Sequence, residues 1–259
     1  MERLIFDAHC HYDDEKFDED RDELLSSLPS KGVYGVVTNG TDIETSLKSL
    51  ELADKYDFIY AAVGIHPEST ESIDISQIDS YVEKIAGLLT HKKAVALGET
   101  GIDYHWDIPK EEQHVIFDKQ LQLAADIKKP IIIHDREAHG DTLEYLRKYR
   151  PFGLLHCYSG SLEMLKEVFR CGDMMISLGG TVTFKNARVP VDVAREVPMD
   201  KLLLETDAPY LAPVPFRGKR CDSSLIAYTA QRIGEIRGMS AEDVLKYTLD
   251  NARRFYGID

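Results

Sequence analysis

The chain is short of thiols, of positive charge and of long apolar runs, and each shortage closes a possibility. Four cysteines occur (Cys10, Cys157, Cys171, Cys221), none of them in a CxxC pair. A disulfide framework and a zinc ribbon are therefore both excluded, and the four read as reduced thiols. Lys and Arg number 31 against 45 Asp and Glu, a formal net charge of −14. That balance argues against binding nucleic acid over a broad basic surface, but it leaves room for a nucleic-acid enzyme whose metal ions supply the local positive charge. The longest apolar stretches, such as those at 130–133 and 202–204, fall far short of the roughly 20 residues that a membrane span requires. The opening Met1-Glu2-Arg3-Leu4-Ile5-Phe6-Asp7 has no basic stretch followed by a long apolar one, so the expectation is a cytoplasmic protein without a membrane partner. Internal repeats, low-complexity tracts and Pro-, Gly- or Ser-rich linkers are missing too, and nothing points to an obligate protein partner. With 43% hydrophobic and 29% charged residues, the composition is that of a globular chain able to bury a full core.

What recurs is a short, β-branched apolar run. Eight of them begin near Leu4, Val33, Tyr60, Ala94, Pro130, Gly153, Met174 and Leu202, each with room for a helix before the next. Parallel strands need crossovers of a dozen or more residues, and runs such as Val36-Val37 and Ile131-Ile132-Ile133 read as apolar on both faces, which is the pattern of a buried parallel sheet. Eight βα units in 259 residues predict an α/β protein, a (β/α)8 TIM barrel forming one domain over residues 1–259, with an open doubly wound sheet as the alternative. Phe117, Leu121 and Ala124 after Pro109, and Leu245, Leu249, Ala252 and Tyr256 near the end, carry helical spacing. Ser240 with Asp243 resembles a capping box. The acidic run from Asp13 to Glu23 reads as a loop entering a first short helix.

The ends of these runs carry the chemistry. The first ends at His9 and His11, the third at His66, the fourth at Glu99, the fifth at His134, the sixth at His156 and the eighth at Asp207. In a barrel all such strand ends converge on one mouth. Any single histidine there reads as a hydrogen-bonded structural residue, but the whole set is the ligand chemistry of two-metal hydrolases, in which a carboxylate bridges two ions. Side-chain alternation places Asp7, His9 and His11 on one face of the first strand and Ala8 and Cys10 on the other. His91 and His114 read as surface histidines.

These motifs carry a resemblance that runs nearly end to end. Phe6-Asp7-Ala8-His9-Cys10-His11, Gly64-Ile65-His66-Pro67, Gly98-Glu99-Thr100-Gly101-Ile102-Asp103-Tyr104, Ile133-His134-Asp135-Arg136, His156-Cys157-Tyr158-Ser159-Gly160 and Glu205-Thr206-Asp207-Ala208-Pro209-Tyr210-Leu211 resemble the TatD family of metal-dependent deoxyribonucleases, within the amidohydrolase-like barrels. The resemblance implies two divalent ions (Mg, Mn or Zn). His9, His11 and Asp207 would hold the first, His134 and His156 the second, and Glu99 would be shared. It also implies hydrolysis of phosphodiester bonds in DNA, from the 3′ end of single strands. The departures are local: Cys221-Asp222-Ser223 stands where the family usually continues Asn-Glu-Pro, Tyr158 replaces the more usual Phe, and Glu99 occupies a position where a Lys would suggest a carbamylated ligand.

Around this centre Asp207 is the candidate proton acceptor, with a ligand-only role as its alternative. His66 reads as a substrate contact or as a partner of a ligand. Arg136, two residues beyond His134, can fork onto a phosphate or pair with a surface acid. Arg217, Lys219 and Arg220 form the densest basic cluster and follow the eighth run, where barrels often bind phosphate. Trp106 and Tyr104 read as stacking platforms for a base or as loop packing. Glu205 reads as a buried structural carboxylate. Two further readings stand beside the nuclease: an amidohydrolase-like enzyme acting on a small amide, ester or phosphoester, and a binding or scaffolding protein with an idle site. Six buried polar groups kept together argue against the idle site.

Overall fold

The computed structural model describes residues 2–258. Strands and helices alternate along the chain: β1 (Ile5–Cys10), α1 (Arg21–Ser27), β2 (Val33–Asn39), α2 (Ile43–Lys55), β3 (Ile59–Val63), α3 (Ile78–Leu88), β4 (Ala94–Asp103), α4 (Lys110–Ile127), β5 (Ile131–Arg136), α5 (His139–Tyr149), β6 (Phe152–Leu155), α6 (Leu162–Arg170), β7 (Asp173–Leu178), α7 (Arg188–Glu196), β8 (Leu202–Leu204), α8 (Ile226–Arg237) and α9 (Ala241–Tyr256). All eight strands lie in one sheet in sequence order, and every neighbouring pair from β1–β2 to β7–β8 is parallel. Each strand begins within one residue of its predicted start.

Two apolar layers follow from side-chain alternation on strands buried on both faces. Phe6, Ala8, Val37, Ala62, Ala96, Ile132, Leu154, Met175 and Leu203 pack together inside the barrel with Leu249, Ala252, Phe255 and Tyr256 of α9. The alternate residues, such as Val36, Val63, Leu97, Ile133 and Ile176, pack outward against the helices. Helix α9 thereby stoppers the end at which the strands begin, and the Tyr256 hydroxyl donates to the Ala8 carbonyl at 2.8 Å. The opposite end is left to polar groups. Ser240 caps α9 as its spacing suggests, accepting from the Asp243 amide at 3.0 Å, but Asp243 answers through the Ser240 hydroxyl at 2.7 Å.

The seam between β8 and β1 is closed just beyond the end of β8. The Asp207 amide donates to the His9 carbonyl at 3.0 Å, and the His11 amide to the Ala208 carbonyl at 2.7 Å. Asp7, fully buried, binds the same seam: its carboxylate accepts from the Thr206 amide (2.9 Å), the Thr206 hydroxyl (2.5 Å) and the Ser223 hydroxyl (2.7 Å). The expectation that Asp7 shares the face of His9 and His11 is corrected here. The β1–β2 ladder shifts register between Asp7 and Cys10, and such a shift breaks strict alternation. Burial pushes the Asp7 carboxyl up to about 7, against the hydrogen bonds from Thr206 and Ser223.

Candidate metal centre

Six side chains from five strands meet at the mouth, and Glu99 lies in the middle of them. Strand β4 runs on past Glu99 to Asp103, so the shared carboxylate comes from within a strand rather than from its tip. One oxygen, Oε2, faces His9 Nε2 at 3.2 Å and His11 Nε2 at 3.3 Å. Asp207, three residues beyond β8, brings Oδ1 to 3.6 Å from His9 Nε2 and 3.5 Å from His11 Nε2. The other oxygen of Glu99, Oε1, faces His134 Nδ1 at 2.9 Å and His156 Nε2 at 2.8 Å. One carboxylate thus has two lobes of partners.

The outer nitrogens define which atoms are free to bind a cation. His11 Nδ1 lies 2.9 Å from the Asn39 carbonyl. A carbonyl can only accept, so Nδ1 carries a proton and Nε2 is the nitrogen turned to the centre. His134 Nε2 lies 2.9 Å from Asp103 Oδ2, which turns Nδ1 toward Glu99 as the nitrogen that a cation would use. Imidazoles held from behind by a carbonyl or a carboxylate are the usual arrangement of metal-binding histidines. His66 is arranged the other way. Its Nδ1 accepts from the Glu68 amide at 3.1 Å, so Nε2 is the protonated nitrogen, and it points at Glu99 Oε1 from 3.4 Å. His66 is a buried donor to the shared carboxylate rather than a ligand, and burial lowers its pKa and keeps it neutral.

The donor set fits divalent ions. Two donors on one ion at about 2.0–2.2 Å stand roughly 3.0–3.5 Å apart. His9 Nε2 and His11 Nε2 are 3.1 Å apart, and His134 Nδ1 and His156 Nε2 are 3.2 Å apart. The electrostatics agree. Burial works against charge at every group, yet the surrounding imidazoles, His156 foremost, hold Glu99 well below the usual carboxylate range. Likewise Asp207 and Glu99 hold His11 well above the usual imidazole range, against its burial. Imidazoles and carboxylates buried this closely together call for positive charge at their centre.

Other candidates are placed less uniformly. Arg136 is exposed, on the strand next to β4 and paired in register with Asp103. Arg217 is exposed and lies over the Phe184 ring at 4.5 Å. Arg220 is engaged elsewhere: Asp20 takes it in two contacts at 2.7 and 2.5 Å, the Lys16 carbonyl takes a third at 2.8 Å, and Phe17 lies beneath it. Its guanidinium is a tether between the loop after β8 and the loop before α1. Cys10 donates to the Val37 carbonyl and stays out of the site. His114 is half-buried in a network with Tyr104 and Tyr145, so the surface reading is corrected; packing of α4 against α5 creates that environment. Two residues escaped functional reading from the sequence. Asp103 orients His134, and Glu205, bound by the Ser177 hydroxyl, stands 3.7 Å behind His156 Nδ1.

An eight-stranded βα barrel with two histidine lobes around one carboxylate at its mouth defines a metal-dependent hydrolase. Residues 6–257 match the family model described as TatD related DNase, and the chain belongs to the TatD family. It is 40% identical over 260 residues to the uncharacterized metal-dependent hydrolase YabD of Bacillus subtilis, covering 99% of this chain and 100% of that one. It is 34% identical over 264 residues to the uncharacterized metal-dependent hydrolase TatD of Mycobacterium tuberculosis, covering 98% of each. The crystal structure of YjjV, a TatD homologue from Escherichia coli K12, superposes with a TM-score of 0.92 at 30% identity, over 100% of both chains. An uncharacterized amidohydrolase from Saccharomyces cerevisiae, at 17% identity and a TM-score of 0.84 over 97% of this chain and 99% of that one, shares the fold. No helix among the described residues is long and apolar enough to cross a membrane.

Proposed function

We propose that the chain is a two-metal deoxyribonuclease that removes nucleotides from the 3′ ends of single-stranded DNA. The observation that carries the two-metal part is the division of Glu99, with Oε2 among His9, His11 and Asp207 and Oε1 between His134 and His156. The substrate and the polarity rest on the family to which the chain belongs. Divalent ions at the two lobes supply Lewis acidity toward a phosphate oxygen and lower the pKa of a water molecule.

The chain's own groups do the rest. Asp207 accepts the proton of the attacking water, because its side chain is 20% exposed at the mouth whereas Glu99 is 3% exposed and closed in by imidazoles. His66 donates to Glu99 and fixes the carboxylate plane. Arg136 and Arg217, both exposed at the strand-end face, meet phosphate oxygens of the strand. In a chain of net charge −14 those cations decide where a polyanion settles.

The test is cleavage of end-labelled single-stranded DNA at single-nucleotide resolution, with chelator-stripped protein to which Mg²⁺, Mn²⁺ or Zn²⁺ is returned. A ladder shortening from the 3′ end, dependent on metal and absent in Glu99→Ala, is the expected result. Protein that binds two ions yet leaves DNA intact while hydrolysing a small amide, ester or phosphoester would transfer the chain to the amidohydrolase-like reading.

A further inference from the structure

Beside the mouth, the loop after β4 borders an open hollow of about 490 Å³ lined by residues 104–110. Trp106, the one tryptophan of the chain, stands there 49% exposed. Large aromatics are normally withdrawn from water, and one left half in solvent above a hollow has a face to offer. The guanidinium of Arg136 lies 5.6 Å from the centre of its ring, and Lys110 Nζ lies 3.9 Å from the centre of the Tyr104 ring. Aromatic faces and cations therefore alternate around one concavity in an otherwise acidic protein.

The loop is built to hold this shape. Gln113 of α4 accepts from the Asp103 amide at 2.9 Å and donates to the carbonyls of Asp103 and Ile108 at 3.0 and 3.3 Å, stapling the two ends of the loop to one side chain. The Ile108 amide closes a turn onto the Trp106 carbonyl at 2.9 Å. Tyr104 is locked through its hydroxyl by Asp141 and His114. His105 Nδ1 lies 2.9 Å from Glu137, an exposed acid held beside the loop, and Asp107 is the acid of the loop itself. Such preorganisation removes the ordering cost that a mobile loop would charge against binding. The hollow is also coupled to the centre, because Asp103, which orients His134, immediately precedes Tyr104 and is Arg136's register partner.

We propose that this hollow binds one nucleotide of a single-stranded substrate, with its base stacked on Trp106 and its phosphate turned toward Arg136 and Lys110. The substrate class rests on the phosphodiesterase reading of the metal centre, and the hollow would supply the contact that holds a strand in place without reading its sequence. Stacking tolerates any base, because every base has a π face.

The single tryptophan makes the test direct. Metal-loaded protein is titrated with a short phosphorothioate-linked deoxyoligonucleotide, with deoxyadenosine monophosphate, with ribose 5-phosphate and with inorganic phosphate, while Trp106 fluorescence is followed. The oligonucleotide and the mononucleotide should quench it saturably, and the two ligands without a base should not. Equal quenching by ribose 5-phosphate, or none by the oligonucleotide, overturns the proposal. In turnover, Trp106→Ala should raise KM for the oligonucleotide about tenfold or more, the size of one lost stack, with a smaller change in kcat, and Trp106→Phe should recover most of it. An unchanged KM also overturns it. Quenching by nucleotides in a protein that cleaves no DNA would defeat the nuclease reading and leave the hollow standing, so the two failures are distinguishable.

Discussion

The two lobes around Glu99 are built from the same side chains but place their negative charge differently. In the first, formed by His9, His11 and Asp207, the charge is inside: Asp207 shares the space with the imidazole nitrogens. Behind these imidazoles stand a neutral carbonyl for His11 and, among the described residues, no hydrogen-bond partner for His9 Nδ1. In the second, formed by His134 and His156, the charge is outside. Asp103 backs His134 at 2.9 Å and Glu205 stands 3.7 Å behind His156, while Asp207 comes no nearer than the rim of this lobe, within 4.8 Å of His156. A carboxylate behind an imidazole makes the ring a stronger donor, so the second lobe recovers at one remove what the first obtains by direct contact. The lesson is that a ligand inventory taken from sequence motifs undercounts the charge serving the second lobe.

Three changes test this asymmetry, from the largest effect to the smallest. Glu99→Ala removes the group common to both lobes and should lower activity by on the order of a thousandfold or more, since groups acting as a unit fail together. Metal analysis should show both ions diminished, and normal occupancy of two would refute the shared role. Asp207→Asn withdraws the inner charge of the first lobe only. Ion content should fall in that lobe and persist in the second, with activity down about a hundredfold because the proposed proton acceptor goes with it. Asp103→Asn keeps the shape behind His134 but removes the charge. Metal affinity of the second lobe should drop about 10- to 100-fold while the first is unmoved, and competitive chelator titration resolves the two. An equal loss in both lobes would erase the distinction drawn here.

The smallest effect comes from a histidine–carboxylate pair that serves neither lobe. His139 Nδ1 lies 2.8 Å from Asp135, and that hydrogen bond raises its pKa against partial burial. A group whose pKa is raised on folding stabilises below its unfolded pKa of about 6.5 and loses that contribution as the pH rises through its folded value. His139→Gln should therefore flatten the stability profile just above about pH 6.5, by only a few tenths of a kcal/mol for a pair this exposed. Denaturant melts across that range would detect it.

The sequence carried most of this architecture for a physical reason. Strands buried on both faces need unbroken apolar runs, and these are visible without structure, so every strand start was legible. The side chains that meet at the mouth were legible too, because barrel geometry sends strand ends to one place. What escaped depended on registers and distant pairings. Asp103 could not be read as the partner of His134 until β4 was seen to run beyond Glu99, through the glycines of Leu97-Gly98-Glu99-Thr100-Gly101 that carry no apolar signal. Glu205 reads from the sequence only as a buried structural carboxylate, because β8 stops at Leu204 and alternation has no force past it to aim the side chain at His156. Arg220 was read as a phosphate contact because nothing in its neighbourhood along the chain announces Asp20, its partner from the other end of the sequence.

The seam has a consequence of its own. The barrel closes through backbone hydrogen bonds of His9 and Asp207, and the side chains of these same two residues belong to one lobe. An ion held there is a clasp fastening the beginning of the chain to its far end, at the place where the hoop of strands lacks a continuous ladder. Opening the hoop and releasing the ion then become one event. The folded state should gain about 2.7 kcal/mol at free metal a hundredfold above its dissociation constant, and unfolding by chelation should begin at the first and eighth strands, which hydrogen exchange can follow amide by amide.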